Sequence, residues 1–345
     1  MPHAAHGATL EVELEVSETQ PMEYTQLGKT DLHVSRLGFG TWSFGGEWGP
    51  VQVDEGKAAV RKAFDLGINF FDTAQAYGFG ASERMLGQAL RTELKSHRHQ
   101  VVIATKGGLR KQGDELVRDA SPAWLRQGLE ASLRALGTDV IDLYQIHWPD
   151  PKTPFEETAR AMDQFVKEGK VRYVGVSNFD AVQMARFETT RKIDTLQPPY
   201  HLFRREIEAS ILPYTLKNGI GVLAYGPLAH GLLTGKYTPQ AVFQADDWRS
   251  KSPLFQGELL RQNLAIVGEL ERFADRREFP VAQLAVAWTL ANPAVDVAIV
   301  GARTPVQIEQ TAPAAGIHLA TADLAEIERI MKRAAPVGGP APELM

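Results

Sequence analysis

Short apolar runs recur along the chain, and each is followed by an amphipathic stretch. Eight of these runs read as strands, at residues 37–41, 69–72, 101–104, 141–146, 173–176, 195–197, 221–224 and 297–300. Their apolar positions are mostly continuous rather than alternating, which suits parallel strands covered by helices. Helix signals fall between them. Asp54 is placed to cap a helix that stops at Gly67, and Ser82 to cap one over 83–91. Ser121-Pro122 supplies an N-cap with proline at the first helical position, ahead of a run that stops at Gly137. Further helices are expected over 154–168, over 181–189 opened by Asp180, over 206–217, and over 305–312. Strand then helix, eight times over, predicts an α/β fold, a (β/α)8 TIM barrel.

Two features exceed that plan. About 70 residues separate the seventh and eighth strands. They comprise a long Gly/Pro-punctuated loop over 227–256 and helices over 258–276 and 281–291. A loop of that length at a barrel mouth serves as a lid or a binding loop. A final helix is expected around Leu324, Ile327, Ile330 and Met331, before a Pro/Gly-rich tail over 336–345. Residues 1–21 form an N-terminal extension that reads as a short strand or a disordered acidic tail, and residues 22–345 form one barrel domain.

Composition narrows the function. A chain of 345 residues fits two domains of about 150 residues or one barrel of about 250 with insertions. An apolar share of 44% and a charged share of 23% exclude wholesale disorder. A net charge of −5 disfavours a nucleic-acid partner. With no cysteine, disulfides, Cys-ligated zinc and thiol catalysis are excluded. No apolar run approaches the ~18 residues of a membrane helix, and the N-terminus lacks the marks of a secretory signal, so the expectation is a cytoplasmic protein. The nine histidines show no His-Glu-x-x-His arrangement, so no metal site is expected. The glycines of 38–40 and 78–80 open like dinucleotide fingerprints, but Ser43 and Glu83 stand where a third glycine belongs.

In a barrel of this type chemistry gathers at the C-terminal ends of the strands. The second strand runs into Asp72, the third into Lys106 and the fourth into His147, while Tyr77 follows on the loop after the second. A free tyrosine titrates near 10, too high for an efficient proton donor at neutral pH. A lysine ammonium in contact stabilises the phenolate and lowers that value. Asp72 keeps the ammonium charged and oriented, and His147 offers a hydrogen bond to a carbonyl oxygen. The set suits protonation of an oxygen as charge develops on it, that is, carbonyl reduction. Trp42 follows the first strand, Trp148 follows His147, and Trp48 lies nearby; they read as an aromatic wall for substrate.

These residues carry a family resemblance. Asp72-Thr73-Ala74-x-x-Tyr77-Gly78, Ile103-Ala104-Thr105-Lys106 and the run Leu143 to Asp150 resemble signatures of the aldo-keto reductases. So do Gly175-Val176-Ser177-Asn178-Phe179 and Gly231-Leu232-Leu233-Thr234-Gly235-Lys236. The resemblance spans 22–339, and Gly45-Gly46, Gln197-Pro198-Pro199-Tyr200 and Pro336-Val337-Gly338 are similar to the bacterial branch that includes the inositol-operon enzyme.

The resemblance implies an extended NADPH across the barrel mouth, with NADH as the alternative, and a small-molecule carbonyl substrate: small, sugar-derived or aromatic. It implies Tyr77 as general acid, Asp72 and Lys106 as its tuning pair and His147 as carbonyl orienter. Ser177, Asn178 and Gln197 would hydrogen-bond the nicotinamide carboxamide, and Tyr225 would stack on its ring. Pro227, Leu228, Gly231 and Lys236 would line the pyrophosphate. Arg303 would hold the 2′-phosphate with Gln307 nearby, in the helix-opening segment that starts at Gly301, which stands where some members carry a lysine for that phosphate; Gln310 and Thr311 would face the adenine, where many relatives carry Glu-Asn. A different class of function also fits such a barrel: a nicotinamide-binding regulatory subunit with little turnover. The motifs set no oligomeric state.

Overall fold

Among the described residues, a short antiparallel hairpin, β1 (Tyr24–Gln26) and β2 (His33–Ser35), comes first. The structure, a computed structural model, describes residues 22–339 except Glu47, Val51, Asp114 and Asp246. The extension 1–21 and the end of the tail, 340–345, lie outside the described residues. Leu27, Leu32 and Val34 of the hairpin join Phe70, Val102, Leu143, Leu223 and Val297 in one buried apolar cluster, so the hairpin packs into the barrel interior.

The barrel begins with β3 (Leu37–Gly40), followed by α1 (Val53–Asp65) and β4 (Phe70–Asp72). Next come α2 (Ala81–Ala89), α3 (Arg91–Ser96) and β5 (Val102–Gly107). A second hairpin, β6 (Leu109–Gln112) and β7 (Glu115–Arg118), leads into α4 (Pro122–Leu136) and β8 (Ile141–Ile146). Then follow α5 (Phe155–Lys167), β9 (Val171–Ser177), α6 (Ala181–Glu188), β10 (Thr195–Gln197), α7 (Ile211–Asn218) and β11 (Gly221–Tyr225). After the long loop come α8 (Gly257–Asp275), α9 (Val281–Ala291), β12 (Val297–Gly301), α10 (Pro305–Thr311) and α11 (Thr321–Met331). The eight long-range strands pair in parallel and close on themselves, β12 lying beside β3. The expected (β/α)8 barrel is therefore present. A second and larger apolar cluster lies between the strands and their surrounding helices.

Several expected helix starts hold. Ser121 accepts the Trp124 N–H with Pro122 inside the first turn, and Gly137 closes α4 in the left-handed region at φ 70°. Asp180 and Gln183 form a reciprocal capping box on α6. Others differ. Gln52, not Asp54, precedes α1, and Asp54 lies in its first turn, where a carboxylate still favours the helix dipole. Ser82 does not cap α2, because Gly80 at φ 88° stands at that position. The Ser82 hydroxyl instead lies 2.7 Å from Thr41 Oγ1 and 3.2 Å from Thr73 Oγ1, tying the ends of two neighbouring strands. Residues 206–217 split into a 3-10 turn, Glu206–Ala209, and α7. Among the described residues no helix is long and apolar enough to cross a membrane.

Candidate active site

Parallel strands alternate their side chains between the barrel interior and the helices. On β5 this turns Thr105 outward, where its hydroxyl donates to Glu83 Oε1 at 2.7 Å, and Lys106 inward. Lys106 is 1% exposed. Its ammonium donates to Asp72 Oδ1 at 2.5 Å, to the Thr73 carbonyl at 3.0 Å and to the Tyr77 hydroxyl at 3.4 Å. Burial pulls the Lys106 ammonium down from its usual range, against the opposing pull of Asp72 and Glu83. The loop that carries Tyr77 is fixed to the strand that carries Lys106 by the Gln75 N–H, which donates to the Lys106 carbonyl at 3.1 Å. It then turns through three left-handed residues, Gly78 (φ 58°), Phe79 (φ 47°) and Gly80 (φ 88°). Gly78 is needed there, since a Cβ would meet the Gly45 carbonyl at 3.0 Å.

The second carboxylate oxygen of Asp72 accepts from Gln197 Nε2 at 2.8 Å and Gln145 Nε2 at 3.3 Å. Sequence reasoning missed Gln145. The signal was a second polar residue, after Asp142, inside the buried strand β8. The His147 ring stands edge-on to Tyr77, with ring centroids 5.6 Å apart. Burial, with the nearby Lys106 charge, holds its imidazole well below the usual histidine range, so it is neutral at pH 7. Its Nδ1 is buried without a hydrogen-bond partner among the described residues. An orphaned acceptor is less costly to bury than an orphaned N–H, which favours the tautomer with the proton on Nε2, free to donate to an oxygen in the cavity.

All four of these residues except Lys106 line a cavity of about 760 Å³ at the C-terminal ends of the strands. Every other residue expected at the site also lines it: Ser177, Asn178, Gln197, Tyr225, Pro227, Leu228, Gly231, Lys236, Gly301, Arg303, Gln307, Gln310 and Thr311, together with Trp42, Trp48 and Trp148. The neutral groups are already partly engaged. Asn178, itself in the left-handed region at φ 62°, donates to the His147 carbonyl at 3.0 Å and to Ser177 Oγ at 3.1 Å, and accepts from the Tyr225 hydroxyl at 2.9 Å. Ser177 donates to the Gln197 carbonyl at 2.8 Å. What these side chains still offer the cavity is acceptor capacity on Asn178 Oδ1 and Gln197 Oε1, which suits an amide NH₂. Burial raises Tyr225 to about 12, so it stays a neutral phenol.

Arg303 departs from the simple expectation of an open phosphate site. Its guanidinium donates to the Trp48 carbonyl at 2.9 Å and to the Pro50 carbonyl, across the rim. Gln307 Oε1 accepts the Arg303 backbone N–H at 2.7 Å, and the Thr311 hydroxyl turns back to the Gln307 carbonyl at 2.9 Å. Gln310 engages Gln283 through its own carbonyl at 2.7 Å, leaving its side chain exposed.

The tryptophan wall is more extensive than expected. Trp42 stacks on Tyr77 at 6.4 Å and meets Trp48 edge-on at 5.0 Å. Trp148 instead carries the Arg118 guanidinium over its ring at 4.9 Å. The loop after β11 adds Trp248, edge-on to Trp48 at 6.1 Å, and a buried Arg249 held by Asp247 at 2.5 Å. These were missed because the pairing of the two loops, Trp48 with Asp247, is long-range and leaves no periodic signal.

Comparison with known proteins agrees with this architecture. The profile described as the aldo/keto reductase family matches residues 36–332. The chain is 43% identical over 328 residues to the aldo-keto reductase YhdN of Bacillus subtilis (strain 168), covering 94% of this chain and 98% of that one. It is 35% identical over 318 residues to the NADH-specific methylglyoxal reductase of Escherichia coli (strain K12), covering 88% and 96%. The solved structure of the glycerol dehydrogenase AKR11B4 from Gluconobacter oxydans superposes with a TM-score of 0.83 at 40% identity, covering 93% of this chain and 98% of that one.

Proposed function

The chain belongs to the aldo/keto reductase family, and from that premise we propose that it reduces a small aldehyde or ketone with Tyr77 as general acid. Members of the family are oxidoreductases of carbonyl and alcohol groups that use a nicotinamide cofactor, and the chain is an enzyme of this kind. The reading rests on one observation: a fully buried ammonium, Lys106, bonded to Asp72 at 2.5 Å, reaches the hydroxyl of Tyr77 at 3.4 Å.

The cofactor, when bound, supplies the hydride that reduces the carbonyl carbon. The oxygen then gains negative charge and takes the Tyr77 proton. The phenolate left behind faces the Lys106 ammonium, whose charge Asp72 supports. Neutral His147 donates to the same oxygen and fixes the carbonyl's angle without competing for the proton. Such a positioned acid contributes about 10²–10⁴-fold. The spare acceptors on Asn178 and Gln197 suit the cofactor's carboxamide, and the Tyr225 ring suits its nicotinamide face. NADPH is the proposed cofactor, with Arg303 as the cation for its 2′-phosphate. A phosphate is a stronger acceptor than the two loop carbonyls that Arg303 now holds. Two relatives are named for three-carbon oxygenated compounds, methylglyoxal and glycerol, which supports a small oxygenated carbonyl substrate.

The test is loss of nicotinamide absorbance with NADPH and a panel of aldehydes and ketones. Carbonyl-dependent oxidation is expected. Tight NADPH binding without turnover across the panel would favour a nicotinamide-binding subunit instead.

A further inference from the structure

His230 is a polar part of the cavity wall to which the proposed chemistry gives no task. It is 7% exposed and its side chain lines the cavity. Three indoles surround it, with ring centroids 6.2 Å away for Trp42, 6.4 Å for Trp48 and 5.0 Å for Trp248. Gly339 closes over its edge: a Cβ at that position would lie 2.9 Å from Nε2. No hydrogen bond joins the His230 ring to any described residue, and its nitrogens, unlike those of His201, are not sealed from solvent, so their hydrogen-bonding capacity stays open. The ring is held in place rather than left to wander. Ala229, His230 and Gly231 are successive left-handed residues at φ 48°, 56° and 92°. The His230 carbonyl accepts from Arg249 Nη1 at 2.9 Å, and Arg249 is itself clamped by Asp247.

The chemistry of the ring defines what it suits. Burial, with the charges of Arg204 and Arg249, drives its imidazole down to about 3, so it is neutral at pH 7. A neutral imidazole offers one donor and one acceptor, as a hydroxyl group does. The indole faces around it suit the C–H skeleton of the same molecule. The position defines where on the substrate that hydroxyl lies. Trp42 touches both the Tyr77 ring, at 6.4 Å, and the His230 ring, so His230 is one indole removed from the proposed proton donor.

We propose that His230 is a specificity-determining residue that hydrogen-bonds a hydroxyl several carbons from the substrate carbonyl, selecting sugar-type carbonyls over alkyl ones. The inference rests on the reading of Tyr77 as the group that meets the carbonyl oxygen.

The experiment compares D-xylose with pentanal, an alkyl aldehyde of the same carbon number. It uses the wild-type enzyme, His230→Phe and His230→Asn, with NADPH binding followed separately by fluorescence. His230→Phe is expected to lower kcat/KM for xylose about tenfold or more, mainly through KM, and to leave pentanal within about twofold. His230→Asn, which keeps a donor and an acceptor, is expected to recover much of the loss. NADPH affinity is expected to stay unchanged in both. Parallel losses on xylose and pentanal, an unchanged xylose value, or weakened NADPH binding would each overturn the proposal. A wild-type enzyme that reduces pentanal but not xylose would overturn it while leaving the reductase reading intact. Turnover of neither aldehyde, nor of any other carbonyl, would instead remove the reductase reading on which it stands. If the phenylalanine variant does not fold, His230→Leu carries the same comparison.

Discussion

At the scale of single residues, the site turns on one buried cation. Lys106 gives up hydration for a carboxylate, a carbonyl and a phenol. Burial lowers its own proton affinity while Asp72 and Glu83 raise it. A cation beside a phenol favours the phenolate. Removing it in Lys106→Met is therefore expected to cut kcat by about 10²–10⁴-fold. The sign of the pH effect follows too. Without the ammonium the phenol loses its proton only at higher pH, so the alkaline limb of the kcat profile moves upward in whatever activity remains. A pH profile whose alkaline limb stays in place would separate Lys106 from the proton transfer. These residues were legible because each ionisable group follows directly on a strand: Asp72 ends β4, Lys106 lies near the end of β5 and His147 follows β8. Gln145 was not, because a glutamine inside a buried strand shows its partner only when barrel closure brings Asp72 to it from β4, on the far side of β5.

At the scale of elements, strands carry the chemistry at one end and stability at the other. Near the strand starts, side-chain carboxylates accept backbone N–H groups from neighbouring strands. Asp142 takes the Ile103 N–H, Asp194 that of Val174 and Asp296 that of Val222, each at 2.8 Å. Burial raises Asp296 to about 6. A carboxyl whose folded-state value is raised favours the fold when protonated, and that contribution is lost as pH rises through about 6. Asp296→Asn keeps the acceptor and removes the charge. Its Tm is expected to exceed wild type by about 2 °C or more at pH 7.5, with the gain shrinking as pH falls below about 6 and gone only below 3.8, where the unfolded carboxyl is protonated as well. A variant less stable at pH 7.5 would contradict this. The barrel was readable because its buried parallel strands are continuous apolar runs. The hairpins β1–β2 and β6–β7 were not. The first has three-residue strands, and the second carries Arg110, Lys111 and Gln112, a polar run that reads as loop until its partner strand is seen.

At the scale of the whole molecule, the cavity draws on the loops after β3, β4, β8, β9, β11 and β12, and Arg303 joins the first of these to the last. Its guanidinium spans from the β12 side to the carbonyls of Trp48 and Pro50, so one side chain touches both the cofactor rim and the tryptophan wall. Arg303→Ala is expected to weaken NADPH binding about tenfold and to leave NADH within twofold, read by fluorescence titration. Equal losses for both would assign Arg303 to the loop rather than to the phosphate. No local pattern foretold the Arg303 bridge or the Trp48–Trp248 contact, since residues 200 or more positions apart meet only once the barrel has closed. The central claim is that Tyr77 delivers the proton. The most direct test is single-turnover reduction of a carbonyl by enzyme preloaded with NADPH, in wild type and Tyr77→Phe. The account predicts that the variant binds NADPH as wild type does and loses about 100-fold or more in the rate of carbonyl-dependent oxidation. A Tyr77→Phe enzyme that turns over at a rate near wild type would contradict it.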